Sequence, residues 1–528
     1  MSASTAVPGH RTLHGEVLKP AASGRHGVVV SQCNDAAEAG ITMLEAGGTA
    51  ADAAVATALA LAAAEPWNSG LGGIGFALIH PAGEARATAI DCGPRAPARL
   101  DPGMFPLSGA TAADLFAWPA VVGDANVHGP LSFVVPSAVA GYRLLHERYG
   151  RLPLADVVAP ALALARRGLP QDWFTTIKIA SAASLLRLYP ETARIYLPDG
   201  LPPVPPYQGL PRFLALGRLA DTLERLGHAG WADFYEGDIA ATLERDLAAM
   251  GAVLNVDDLR GCIASTGPAL DIQWPGAVHP NAVLQAVPGP TAGPTLADVA
   301  RHRPMGTVPD AAWFASMAQA LRTAYVRRLE PEGCTSHISV CDAAGTMVSF
   351  TTTLLSSMGS RVVLPGTGVL MNNGVMWFDP RPGTANSIAP GAAPLCNMCP
   401  VIIRDGDEPI LAAGASGGRR ILAAVTQLVA FVHQCGMDPA AAAHHPRIDV
   451  SGGPVITADD RLPSAVLEAL RAVAPVERVE HSILPVNFAC PNLIARTEGE
   501  CTGISDVMSP WSAALAARPS PSRSQSAA

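Results

Sequence analysis

The spacing of apolar residues changes along the chain. From Asn34 to Glu65 they recur at helical intervals and predict two helices, Asp35 to Ala46 and Ala50 to Ala64. Between these helices lies Gly47-Gly48-Thr49, a stop followed by an N-cap residue. The same period predicts helices at Ser137 to Tyr149, Leu154 to Arg167, Leu214 to Leu226, Ile239 to Met250 and Ala311 to Leu329. After Gly333 it shortens to two, with β-branched residues and turns from His337 through Ile403, before a helix at Arg420 to Phe431. Leu201 to Pro211 is Pro-rich and reads as a surface loop. Helices around a sheet-dominated segment predict a layered α/β or α+β architecture.

The most informative strand pattern runs from Cys334 to Thr353. Ile338 and Val340 alternate with polar neighbours, as do Val348 and Phe350, so two strands flank an Ala343-Ala344-Gly345 connection. Setting Asp342 opposite Thr346 places Thr335 opposite Thr353, two hydroxyls across the sheet. A threonine hydroxyl needs an adjacent base to act as a nucleophile, and a freed α-amino group, with a pKa of roughly 8, supplies one from the same residue. Scission between Cys334 and Thr335 exposes that amine. Ordinary threonines on a polar strand face fit the same pattern.

With 49% hydrophobic and 15% charged residues, 50 Gly and 47 Pro, the 528-residue chain is compact and loop-rich; length alone suggests two to four domains. A formal net charge of -9, with no Lys/Arg cluster, excludes a nucleic-acid partner and favours a small substrate. Ala50 to Ala64 is too short and too alanine-rich to span a bilayer, so no membrane association is expected. The first 25 residues lack the apolar core of a secretory signal, and the ten cysteines show no disulfide-framework spacing. A cytoplasmic protein with reduced thiols is expected, with neither metal nor cofactor. Residues 1 to about 25 and 517 to 528 read as loose ends.

Several ordered motifs resemble the gamma-glutamyltransferase family over roughly Gly27 to Asp506. They are Glu65-Pro66-Trp67-Asn68-Ser69-Gly70-Leu71-Gly72-Gly73, Thr335-Ser336-His337-Ile338-Ser339-Val340, Leu370-Met371-Asn372-Asn373, Arg381-Pro382-Gly383, Pro394 to Pro400, and Gly414-Ala415-Ser416-Gly417-Gly418. The resemblance implies an α+β fold, the four-layer αββα sandwich of Ntn-hydrolases. It also implies a self-cleaved precursor with a large subunit, 1 to 334, and a small one, 335 to 528. By position Thr335 matches the nucleophile, Thr353 its supporting threonine, and Gly417 and Gly418 the oxyanion-binding pair. A homodimer of the processed heterodimer is a candidate assembly.

Departures from the family pattern bear on substrate. The positions that bind a glutamyl amino group hold Leu355, Gly374 and Trp377, and the carboxylate-binding arginine aligns with Gly93, leaving Arg95 as a substitute. The family's paired serines become Cys396 and Asn397, and Asn373 is a further candidate substrate contact. Asn372 to Pro380 is similar to the amidohydrolase branch, which includes oxamate amidohydrolase and cephalosporin acylase-like proteins. A small carboxylate-bearing amide such as oxamate is therefore the expected substrate, with a true gamma-glutamyltransferase or glutathione hydrolase as the alternative.

Other motifs compete. Gly414-Ala415-Ser416-Gly417-Gly418 also fits a serine-hydrolase elbow, with His444, His445 or His481 and Asp449 as partners. Cys396 and Cys399 have redox or zinc spacing without a second pair. Gly70 to Gly75 follows a helix and not a strand, so backbone approach to the site is preferred over phosphate binding. His337 shares a strand face with Thr335 and either tunes the amine or makes a structural hydrogen bond; Trp377 is either a lid or core.

Overall fold

The computed structural model describes residues 17–111, 118–327, 334–451 and 453–519. In chain order, the strands that build its two large sheets are β1 (Ala22–Gly24), β2 (Gly27–Ser31), β3 (Ile74–His80), β4 (Thr88–Cys92), β5 (Ser265–Pro268), β6 (Leu270–Gln273) and β7 (Val283–Ala286). These are followed by β8 (Cys334–Asp342), β9 (Met347–Leu355), β10 (Val401–Asp405), β11 (Glu408–Ser416), β12 (Cys490–Thr497), β13 (Glu500–Ser505) and β14 (Ala513–Ala516). One seven-stranded sheet has the order β14-β2-β8-β9-β3-β4-β5, the other β1-β13-β12-β11-β10-β7-β6. All neighbours in both sheets are antiparallel.

The period-two pattern sorts side chains into three apolar layers. Val28 and Val30 of β2, Ile402 of β10 and Ala412 of β11 fill the space between the sheets. Val29, Ile338, Val340, Val348 and Phe350 face outward onto helices of the first half. Val401, Ile403, Leu411, Ala413 and Ala415 face outward on the other sheet, against helices that include Ala311–Arg327, Arg420–Val429 and Ser464–Val473. The result is helix, sheet, sheet, helix.

The alanine-rich helix Ala50–Ala64 is buried at every position, as an all-apolar helix requires, and lies under β8 and β9. Thr49 caps it as expected: its side chain accepts from the Asp52 amide while Asp52 accepts from the Thr49 amide. Most expected helices appear within two residues of their anticipated ends. The one expected at Leu214 to Leu226 begins at Leu219, because Gly217 takes φ 60° and Phe213–Leu214 pairs with Leu169–Pro170. The one expected at Arg420 to Phe431 is regular to Val429 and widens into a π-turn over Ala430–Gln434. A helix at Trp173–Leu186 was not anticipated; Asp172 caps it, and Phe174 stacks edge-on against Trp67 and Trp511. Beyond Arg327, the end of the last first-half helix lies outside the described residues.

The chain ends depart from expectation too. Ala22–Gly24 pairs with β13, so order begins before residue 25, and Ala517 is buried and donates its amide to the Gly27 carbonyl. Residues 1–16 and 520–528 lie outside the described residues. No described helix is long and apolar enough to cross a membrane.

A fully buried ion cluster closes one end of β13. Asp506 accepts from Arg447 at 2.6 Å and from His481 at 3.2 Å. Burial alone would raise the Asp506 carboxyl, but the Arg447 and His481 charges hold it well below the usual carboxylate range. Asp506→Asn leaves the buried Arg447 without its carboxylate, while His481 keeps Asp459 at 3.5 Å, and is expected to cost about 3–5 kcal/mol, read as a lowered urea midpoint.

Candidate active site

The β8–β9 hairpin forms as its alternation predicts. Asp342 and Thr346 close the turn through the Asp342 amide and the Thr346 carbonyl at 3.1 Å, and Gly345 takes φ 92°. Pairing keeps the expected register from Cys341↔Met347 to Ser336↔Thr352. It then slips, so that Cys334 pairs with Leu355. The direct Thr335–Thr353 pairing is thereby corrected: a β-bulge sets two residues, Thr353 and Leu354, against the single Thr335. Leu355, which closes the bulge, sits at φ 86°, a costly conformation for a branched residue, and its amide donates to Thr353 Oγ1 at 2.8 Å. Thr335 is buried at 3% exposure, on the face of β8 that looks into the space between the sheets.

His337 occupies the same face and acts as a strut. Its Nδ1 shares a 2.8 Å hydrogen bond with Thr351 Oγ1, and its Nε2 lies 3.3 Å from Ser339 Oγ. Its ring packs on Gly414 of β11, where an added Cβ would collide with it. Asn492 of β12 donates to the His337 carbonyl at 2.8 Å and accepts from Ser339 at 2.7 Å, which ties the sheets together. Thus His337 makes the structural hydrogen bonds.

Two residues on from Gly414, Ser416 ends β11 and bonds Gln32, and the chain turns through Gly417 (φ 130°) and Gly418 (φ 63°) into the helix Arg420–Val429. Moving from His337 to Thr335 along β8 runs the same way as moving from Gly414 to this turn, so both lie at one end of the sandwich. A serine triad at Ser416 does not form. Its expected partners are engaged elsewhere: His481 with Asp506, Asp449 with Ser451, His444 with the Ala440 carbonyl and the Lys19 amide, and His445 with the Pro446 carbonyl.

On the opposite face of β8, Ser336 Oγ donates to Glu65 Oε2 at 3.1 Å and accepts from Ser69 Oγ at 3.2 Å. Glu65 and Ser69 belong to the glycine-rich loop, whose backbone grips the hairpin end: the Leu354 amide donates to the Asn68 carbonyl and the Met358 amide to the Trp67 carbonyl, both at 2.8 Å. A Cβ on Gly73 would come within 2.6 Å of the Thr353 carbonyl, the close approach expected of this loop. Burial pushes the Glu65 carboxyl up to about 7, with the Lys178 charge pulling the other way. Glu65, Ser69 and Gln32 escaped sequence reasoning; the one signal was an acidic residue inside an otherwise apolar and glycine-rich stretch.

The remaining candidates divide. Trp377 and Cys396 lie in the apolar layer between the sheets, bridged by Asn386, which donates to the Trp377 carbonyl and accepts from the Leu395 amide. Cys396 Sγ donates to the Pro290 carbonyl at 3.1 Å. Cys396 and Cys399 face different layers, against a shared metal or disulfide. Asn397 Nδ2 and Trp377 Nε1 are buried donors with no partner among the described residues. Asn373 is spent structurally, donating to the Val127 carbonyl and Ser356 Oγ and accepting from the Ser356 amide. Arg95 is exposed and lines a cavity of about 70 Å³ with Asp258, Ser137 and Cys262.

Two outcomes follow from the His337 strut. Gly414→Ala pushes a methyl group into the ring and is expected to cost about 1–3 kcal/mol of stability in urea titration. Burial lowers the His337 pKa from 6.5 to about 3, so its neutral form's contribution is complete above about pH 6.5 and is lost as pH falls toward 3. The urea midpoint is expected to drop with acidity over that window, and less steeply in His337→Gln.

Comparison with known proteins matches this arrangement. The sequence model of the Gamma-glutamyltranspeptidase family matches residues 36–329 and 310–516. The chain is 30% identical to the Acylase ACY 1 proenzyme of Pseudomonas sp. (strain SE83), over 88% of this chain and 90% of that one. It is 26% identical to the glutathione hydrolase proenzyme of Bacillus subtilis (strain 168), over 88% and 89% of the two chains. Its fold superposes on the cephalosporin acylase from Bacillus halodurans with a TM-score of 0.79 at 23% identity, covering 98% of this chain and 99% of that one. The chain belongs to the gamma-glutamyltranspeptidase family and is an enzyme of the N-terminal-nucleophile hydrolase class.

Proposed function

We propose that the chain is a precursor that cuts itself between Cys334 and Thr335 and then uses Thr335 to hydrolyse a small carboxylate-bearing amide of the oxamate type. The observation that carries this reading is the buried Thr335 at a β-bulge, at the sandwich end that also holds the Gly417-Gly418 turn. In the first reaction Thr335 Oγ1 attacks the Cys334 carbonyl, the acyl group moves from nitrogen to oxygen, and water hydrolyses the ester. This leaves a Cys334 carboxylate, a free Thr335 amine, and chains 1–334 and 335–528. In turnover the amine takes the Oγ1 proton as Oγ1 attacks the substrate amide, and the Gly417 and Gly418 amides stabilise the oxyanion. The leaving amine takes that proton, Thr353 holds Oγ1, and water releases the acid.

The substrate class rests on what lines the site. Leu355, Gly374 and Trp377 give an ammonium no acceptor, whereas the Asn397 and Trp377 nitrogens are donors suited to a carboxylate. In this reading the carboxylate is held by these neutral donors, with no call on the exposed Arg95. The proenzyme names of the relatives support self-cleavage, and the acylase relative favours a second reading, an amide with a larger acyl group. A cytoplasmic site fits cysteines that form no disulfide among the described side chains, and a homodimer of the cleaved pair is compatible with this reading.

Denaturing gels of purified protein are expected to show two chains, the smaller beginning Thr-Ser-His-Ile, with Thr335→Ala whole and inactive and Ser416→Ala cleaved and active. In a panel of oxamate, glutaryl amides and gamma-glutamyl-p-nitroanilide, the anilide is expected to be slower by roughly a hundredfold in kcat/KM, the penalty of an unpaired buried ammonium at about 3 kcal/mol. Efficient turnover of the anilide overturns the substrate class without touching the nucleophile.

A further inference from the structure

Ser336 follows Thr335 directly but points to the other side of β8, where alternation puts it among helices. Two oxygens meet its hydroxyl: Ser69 Oγ donates to it, and Glu65 Oε2 accepts from it. All three residues are at most 2% exposed. Glu65 is the C-cap of the buried helix Ala50–Ala64, with its amide bonded to the Leu61 carbonyl at 2.9 Å. A carboxylate is poorly placed there, since a helix C-terminus repels negative charge and burial strips it of water. The groups facing it are Lys178 from the helix Trp173–Leu186, the thiols of Cys33 and Cys490, Asn68, and Ser336 itself.

An apolar residue there would avoid both penalties but would leave the Ser336 hydroxyl without its acceptor. What the carboxylate does is hold the residue beside the bulge. We propose that Glu65 is a positioning residue of the Thr335 site, its carboxylate acting through the Ser336 hydroxyl to lock the β-bulge and so aim the Thr335 amine and Oγ1. This rests on the reading of Thr335 as nucleophile. The aligned chain, Ser69 to Ser336 to Glu65, requires an acceptor at its end. Ionised Glu65 only accepts, whereas protonated Glu65 also donates and competes for the Ser336 oxygen. Because burial brings the carboxyl to about 7, alignment is complete above neutrality and lost below it. The Thr335 amine must be deprotonated as well, so two ionisations govern the acid limb.

The test uses the cleaved enzyme and follows hydrolysis of oxamate or, if it is the faster substrate, of gamma-glutamyl-p-nitroanilide. The wild type is expected to lose kcat/KM with a slope of two in log units per pH unit at the acid end. Glu65→Gln, which at any pH carries a donor beside its acceptor as the protonated carboxyl does, is expected to fold, to cleave itself, and to show a slope of one with kcat lowered throughout. Glu65→Leu and Ser336→Ala break the link and are expected to lower kcat by roughly tenfold to a hundredfold, the scale of a misaimed reacting group, with KM within about twofold. A slope of two retained in Glu65→Gln, or kcat in Ser336→Ala within twofold of wild type, overturns the proposal; these two near-isosteric variants decide it even if Glu65→Leu fails to fold. Thr335→Ala runs alongside. If it stays active, the nucleophile reading falls; if it is inert while the Glu65 and Ser336 variants match wild type, only the positioning role falls.

Discussion

The close approach of the two sheets at His337 and Gly414 is the contact on which the site depends. A histidine ring from one sheet fills the space that a glycine leaves on the other, and Asn492 clasps the His337 carbonyl beside it. A ring in direct contact with backbone leaves little freedom in sheet separation, and packed interiors transmit such constraints over several residues. The height of Thr335 above the Gly417-Gly418 turn is therefore set two residues from Thr335 and three from Gly417. Burial keeps the histidine neutral, which removes the cost of an unpaired charge from the centre of the sandwich.

The second constraint is backbone crowding at the hairpin end. Glycines at 72 and 73 let the loop approach Leu370 and Thr353, and the Trp67 and Asn68 carbonyls receive amides from the segment just past the bulge. That segment holds three non-glycine residues with positive φ, Leu355, Met358 and Arg361. Strain of this kind persists only where surroundings over-determine it, and the Asn373 side chain, bonded three ways to Ser356 and Val127, is a large part of what does so. The asparagine expected as a substrate contact thus also fastens this segment.

Much of this was legible in residue patterns. Alternation in Ile338, Val340, Val348 and Phe350 places the hairpin, and the run of alanines from Ala50 with Gly47-Gly48-Thr49 before it places the buried helix to the residue. The bulge was not legible, because a one-residue slip at a strand end leaves the apolar pattern untouched and depends on contacts with a loop some 270 residues earlier. Trp173–Leu186 hid behind β-branched residues of low helix propensity that aromatic packing overrides. Arg95 stands exposed beside a cavity that it lines with Asp258 and Cys262, a placement that adjacency in sequence to Gly93 does not reveal.

The strand order has a consequence for any scission before Thr335. In one sheet β2 lies between β14 and β8, and β3 follows β9; in the other, β1 and β7 flank strands drawn wholly from after that point. Two polypeptides made by such a cut are woven through each other, each supplying ladder partners to the other in both sheets. Their association then has no separate interface to tune, and parting them is the same event as losing the native state.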